Sequence, residues 1–190
     1  MTAPIKDSRT IRADDGTVTV NGWIQDTRNL GGISFVQLRD RYGILQLTLP
    51  KKKIEEGLFK TLTTLARESV VSVTGEVKES NQTANGLEII PAGVTVLSEA
   101  ATPLPMGVVD KVNVEMDTRL NNRFMDLRKP EIRAIFELKS LMMRLILECM
   151  EENGFVQVNT PKIVGSGAEG GATLFQIEYF PARHQRKQAL

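Results

Sequence analysis

Apolar residues recur at every second position through much of the first hundred residues. Thr17-Val18-Thr19-Val20 alternates and continues into Gly22-Trp23-Ile24. Gly31-Gly32 marks a turn before a second alternating run, Ile33 to Arg39. Asp40-Arg41-Tyr42-Gly43 has hairpin chemistry, and Ile44 to Leu49 follows with Leu45, Leu47 and Leu49 on one face; Pro50 stops the run. The period then changes. Ile54, Leu58, Leu62 and Leu65 share one side of a short amphipathic helix within 54–67. Val70 to Val77 predicts a fourth strand, 81–86 a polar loop, and Leu87 to Leu97 a fifth strand interrupted at Pro91.

Three strands, a helix and two more strands is the element order of an OB-fold barrel, whose open face commonly binds oligonucleotides. From Ala100 the pattern changes again. Thr102-Pro103-Leu104-Pro105 reads as a stiff linker, and 111–129 is polar and Arg-rich. Pro130 suits the first position of a helix, with Glu131 behind it at the positive end of the dipole. Apolar positions from Ile132 to Met150 follow, and Asn153-Gly154 is a stop signal. The helix would be ~35 Å long. Its apolar positions form more than a narrow stripe, which predicts burial on two sides, with a plain core helix and a helix shared with a partner as the two alternatives. Phe155 to Thr160 alternates as a strand ending at Pro161. The pattern gives an OB-fold domain over 1–99, a linker over 100–129, and a helix followed by a strand within 130–190.

Composition narrows the function classes. The chain has 190 residues, 41% of them hydrophobic and 25% charged, a globular balance. The formal net charge is +1, so any nucleic-acid contact must come from a local patch. One cysteine, Cys149, and one histidine, His184, allow neither an internal disulfide nor a Cys/His zinc cluster; no metal site is expected. Charge breaks every apolar stretch, so no membrane span is expected. The start of the chain has no apolar signal core, which predicts a cytoplasmic protein.

Several segments resemble a known family. Asp117-Thr118-Arg119-Leu120-Asn121-Asn122-Arg123-Phe124-Met125-Asp126-Leu127-Arg128 is similar to the hinge of class II aminoacyl-tRNA synthetases for aspartate, asparagine and lysine. The long helix, Gly154-Phe155 and Thr160-Pro161-Lys162-Ile163 resemble their motif 1. Glu169-Gly170-Gly171-Ala172-Thr173-Leu174-Phe175 narrows the likeness to the aspartyl enzymes, with the asparaginyl enzymes close behind. Asn21-Gly22-Trp23, Leu30 to Phe35 and Arg39-Asp40-Arg41-Tyr42-Gly43 look like the short, archaeal type. The resemblance implies ATP-dependent attachment of L-aspartate to tRNA-Asp through an aspartyl-adenylate, with Mg²⁺, in a homodimer joined through motif 1 and Pro161. The resemblance makes 100–129 the hinge and 130–190 the beginning of the family's α+β catalytic domain, which continues into motifs 2 and 3 with its ATP-binding arginines. The segment Pro181 to Leu190 does not match that continuation, so the chain reads as a fragment that binds no ATP or Mg²⁺ and does not aminoacylate alone. The alternatives are an asparaginyl enzyme and a free-standing OB-fold tRNA-binding module.

The resemblance also implies a set of site residues. Glu169, among glycines that could close over a substrate, would accept from the aspartate ammonium. Phe35 should point outward, opposite to Val36 and Leu38, and stack on the central anticodon uracil. Gln46, on the face opposite Leu45 and Leu47, would pair with a base edge, Arg28 would contact phosphate or base, and Glu88 would accept from a cytosine amino group. Gln25 lies near the first anticodon base in the family, and it bears on whether tRNA-Asn is accepted beside tRNA-Asp. Without the resemblance the alternatives stand: Phe35 covering a sheet edge, Gln46 and Arg28 solvated, Glu88 in a cross-strand ion pair, Glu169 exposed in a loop. Lys51-Lys52-Lys53 reads equally as phosphate contacts or as soluble surface, and the lone His184 as a surface residue.

Overall fold

A computed structural model describes residues 3–109, 113–161, 163, 176–178 and 187–189, the last two stretches as backbone only. The chain divides into two compact units, Met1–Lys129 and Pro130–Leu190.

In the first unit the alternating runs become strands. A two-residue strand β1 (Ile5–Lys6) precedes β2 (Thr17–Asn29), β3 (Ile33–Arg39) and β4 (Ile44–Pro50); α1 (Glu56–Thr64) follows, then β5 (Val70–Glu79) and β6 (Leu87–Ser98). β2 pairs antiparallel with β3, β3 with β4, and β5 with β6. β4 meets β6 in a short parallel contact, Gln46 opposite Glu88 and Leu47 opposite Ile89. β2 also pairs with β5 from Thr17 to Trp23, so five strands close into a ring.

One strand serves both sides of the ring because of its glycine. A Cβ on Gly22 would lie 2.5 Å from the Arg39 carbonyl oxygen, so only glycine lets β2 come this close to β3 as it passes from one neighbour to the other. Inside the ring, Val18, Val20, Ile24, Val36, Leu38, Leu45, Leu47, Leu49, Val71, Val73 and Ile89 are at most 2% exposed. Leu58 and Leu62 of α1 belong to the same cluster, so the helix face predicted by its spacing is the buried one.

Three local expectations change. The first strand runs on to Asn29, past Ile24, because a bulge at Gln25 re-aims it. β6 is continuous through Pro91, because Pro91 sits where the register with β5 shifts, opposite Gly75, and the missing N–H breaks no ladder bond there. The hinge is structured: α2 (Met116–Asn121) and α3 (Arg123–Asp126) carry Met125 onto Met106 and Val108 in a small second cluster, edged by Leu104 and Val114. Asp126, fully buried, accepts from Arg119 at 3.0 Å and Arg123 at 2.6 Å.

The second unit holds α4 (Pro130–Glu152), a helix of 23 residues, and a hairpin of β7 (Gln176–Glu178) with β8 (Lys187–Ala189). No residue of α4 is buried, so the two-sided burial expected of it is absent among the described residues. The strand expected over 155–160 is also absent. Its alternation is real, but no strand lies alongside it among the described residues, and Phe155, Val156 and Val158 remain exposed.

Candidate nucleic-acid interface

The bulge in β2 decides which side chains reach the outer face of the ring. Ile24 stands opposite Leu38 and Asp26 opposite Gln37, leaving Gln25 as the extra residue. Up to Ile24 the even-numbered residues of β2 point inward; one inserted residue reverses that parity. Thr27 therefore turns inward opposite Val36, where its hydroxyl is buried, while Arg28 turns outward opposite Phe35. Without the bulge Arg28 would face the core.

On β3 the strict alternation of Ser34, Val36 and Leu38 inward leaves Phe35 and Gln37 outward and partly exposed. Gln46 of β4 stands directly opposite Gln37. Together with Asp26, Arg28, Leu30 and Gln82 they line a cleft of about 250 Å³. The cleft joins an aromatic ring, a cation and amide side chains, the combination that stacks a base, holds its phosphate and reads its edge. Arg28 is mostly exposed and lies 3.7 Å from Asp26, whose other oxygen accepts from Arg67 at 2.7 Å. Asp26 thus keeps the cation beside the cleft without enclosing it.

Polar chains stand behind this wall. Glu88 accepts from the Thr48 hydroxyl at 2.7 Å, and Thr48 accepts from the Gln46 amide at 3.4 Å. Gln25 is 7% exposed; it donates to Gln37 and accepts from Arg39, each at 3.4 Å. Arg39 in turn places one nitrogen 2.8 Å from both oxygens of Glu68, which also accepts from Arg128 of the hinge. Glu68 holds a left-handed backbone (φ 69°), and its buried carboxylate is neutralised by two guanidinium groups.

Residues 18–97 match the OB-fold nucleic acid binding domain, and residues 115–187 match the class II tRNA synthetases for D, K and N. The chain thus joins an OB-fold nucleic acid binding domain to the beginning of a class II tRNA synthetase domain. It is 51% identical over 167 residues to the aspartate–tRNA(Asp/Asn) ligase of Methanothermobacter thermautotrophicus, covering 88% of this chain and 38% of that one. It is 47% identical over 163 residues to the aspartate–tRNA(Asp) ligase of Thermococcus kodakarensis, covering 86% of this chain and 37% of the relative. The solved asparaginyl-tRNA synthetase from Pyrococcus horikoshii complexed with asparaginyl-adenylate superposes with a TM-score of 0.81 at 26% identity, covering 97% of this chain and 42% of that one. The chain spans about two fifths of the length of the curated relatives it matches.

The structure brings three of the residues expected to contact RNA, Arg28, Phe35 and Gln46, into one cleft. Glu88 stands one hydroxyl away from Gln46, behind Thr48. Gln25 is not in the cleft wall; the bulge buries it, and it meets the cleft only through Gln37. Lys51, Lys52 and Lys53 are exposed in a turn after β4, and Pro161 is exposed beyond α4. Glu169 and His184 lie outside the described residues. Sequence reasoning assigned no role to Gln37, Gln82 or Asp26. Its parity with Phe35 puts Gln37 on the outer face, but Gln82 sits in an aperiodic loop, and Asp26 becomes outward only through the bulge.

Proposed function

We propose that the full protein is an aspartate–tRNA ligase and that the cleft around Phe35 reads the anticodon of tRNA-Asp. The observation that carries this reading is the convergence of Phe35, Arg28 and Gln46 on one face of an OB-fold ring, in a chain whose relatives at 45–51% identity are named aspartate–tRNA ligases. The Phe35 ring supplies a flat apolar surface for the central uracil, and stacking of this kind contributes ~1–3 kcal/mol per base. Arg28 supplies positive charge, and Glu88, held by Thr48, offers a carboxylate to a cytosine amino group.

In the reaction, an oxygen of the aspartate carboxylate bonds to the α-phosphorus of ATP and the bond to pyrophosphate breaks. The terminal ribose hydroxyl of the tRNA then attacks the activated carbonyl, and AMP leaves. Mg²⁺ would screen the phosphate charge. Glu169 would hold the aspartate ammonium, and α4 with Pro161 would pair with a second copy in a homodimer; the exposed apolar face of α4 supports that assignment. No helix among the described residues is long and apolar enough to cross a membrane. As a translation enzyme the protein would work in the cytoplasm.

The test is charging by the full-length protein. Aspartate should be attached to tRNA-Asp in an ATP-dependent reaction. Attachment of asparagine instead would establish the asparaginyl reading, which the naming of the relatives at 45–51% identity as aspartate–tRNA ligases disfavours. RNA binding with no charging of either kind would leave a tRNA-binding module. Charging of tRNA-Asn with aspartate, assayed alongside, separates the two specificities named among the relatives.

A further inference from the structure

The two amides that face each other at the back of the cleft, Gln37 and Gln46, are oriented by charged anchors of opposite sign. The ends of a carboxamide differ only in what they bond: the oxygen accepts and the nitrogen donates. Arg39 can only donate. Its contact with Gln25 therefore fixes the Gln25 oxygen toward Arg39 and the Gln25 nitrogen toward Gln37, as the two 3.4 Å contacts record. Gln37 must then turn its oxygen inward to Gln25. Its amino group is left for the cleft that it lines.

The other relay runs in the opposite sense. The Glu88 carboxylate accepts from Thr48, which in turn receives the Gln46 nitrogen. Burial locks the first relay: Gln25 is 7% exposed, and the side chain of Arg39, at 14%, is gripped by Glu68 at 2.8 Å.

Resting on the proposed anticodon reading, we infer that Gln37 is a further base-reading residue, its amino group held toward the cleft by the Glu68–Arg39–Gln25 relay to select a nucleobase carbonyl oxygen. A base offering an amino group at that point would meet donor against donor. Gln25 and Arg39 are positioning residues; they act through Gln37 and need not touch the RNA.

The experiment uses the full-length protein and hairpins carrying the tRNA-Asp anticodon loop. In each hairpin one anticodon base is replaced by a base that exchanges a carbonyl for an amino group or the reverse. Gln37→Glu replaces the donor by an acceptor of the same shape and should weaken the parent loop about tenfold. The loss should be confined to one anticodon position, where the amino-bearing base becomes the better ligand. Gln37→Met, which carries neither charge nor donor, should erase discrimination at that position without reversing it. Gln25→Met should relax the same position by a smaller factor while leaving the salt dependence of binding unchanged.

An equal loss on every loop would mark simple charge repulsion and overturn the assignment. So would a parental discrimination profile in either Gln37 variant, or an unaltered profile in Gln25→Met. If the parent protein binds no loop, or Phe35→Ala binds as the parent does, the anticodon reading itself has failed. That outcome is distinct from parent binding that is blind to Gln37.

Discussion

The ring and the long helix are written in the same alphabet and meet opposite fates. Val36 and Leu38 alternate along β3 and are 0% and 1% exposed; Ile135 and Leu138 recur along α4 and are 59% and 58% exposed. In both places the spacing predicts the element correctly. Burial, however, requires a second surface, and the ring supplies its own by closing β2 onto β5. Among the described residues nothing comparable covers α4. Periodicity therefore specifies a face, and only another layer of chain makes that face a core.

The sharpest way to break this comparison is to cut the same amount from each region. Leu47→Ala, inside the ring opposite Ile89, should lower the stability of the first unit by about 2–5 kcal/mol in a denaturant titration. Leu138→Ala on α4 should change it by less than about 0.5 kcal/mol in dilute solution. If α4 pairs with a second copy, the Leu138 effect should grow with protein concentration. Equal losses at every concentration would defeat the contrast.

A smaller but still large effect is expected where the ring meets the hinge. Glu68→Ala leaves Arg39, whose side chain is 14% exposed, without its buried carboxylate. The cost should be about 3 kcal/mol, read by thermal or chemical melting. Because Arg128 grips the same carboxylate, the loss should be partly shared by Arg128→Ala, and the two changes together should cost less than their sum. Strict additivity would show that Glu68 does not join the two elements.

Phe35→Ala should leave the melting curve nearly unchanged, because its ring is on the outer face, while weakening anticodon-loop binding by about 5- to 150-fold. Filter binding at fixed salt measures it. A loss of stability with intact binding would return Phe35 to the role of edge cover.

The smallest effect is one of pH. Hydrogen bonding from Arg119 holds the Asp126 carboxyl below its ordinary value of 3.8; burial opposes this, and the nearby charges of Arg119, Arg123 and Lys129 add to the lowering. A carboxyl whose folded pKa is depressed contributes stability above its unfolded pKa and loses it as pH falls through the lower folded value. The gap in melting temperature between the parent and Asp126→Asn should be constant near neutrality and shrink only below about pH 4. A gap that widens on acidification would reverse the assignment.

Much of the fold was legible because both its periods are short. The alternation of β3 and β4 announced itself within seven residues each, and the α1 spacing found the face that Leu58 and Leu62 bury. The outward position of Phe35 followed from its neighbours Val36 and Leu38 alone. Arg28 was different. Its place beside Phe35 depends on a single unpaired residue, Gln25, whose insertion carries no compositional mark such as glycine.

The sequence by itself determined the ring strands, the helices α1 and α4, which faces of them are apolar, and that two differently patterned halves follow one another, since these depend on neighbours a few positions apart. Only the tertiary structure decided that the strands close into a ring, that Arg28 and Asp26 emerge on its outer side, and that Glu68 sits between Arg39 and Arg128. Those outcomes turn on register and on contacts between residues as much as 60 positions apart, which no local period can encode.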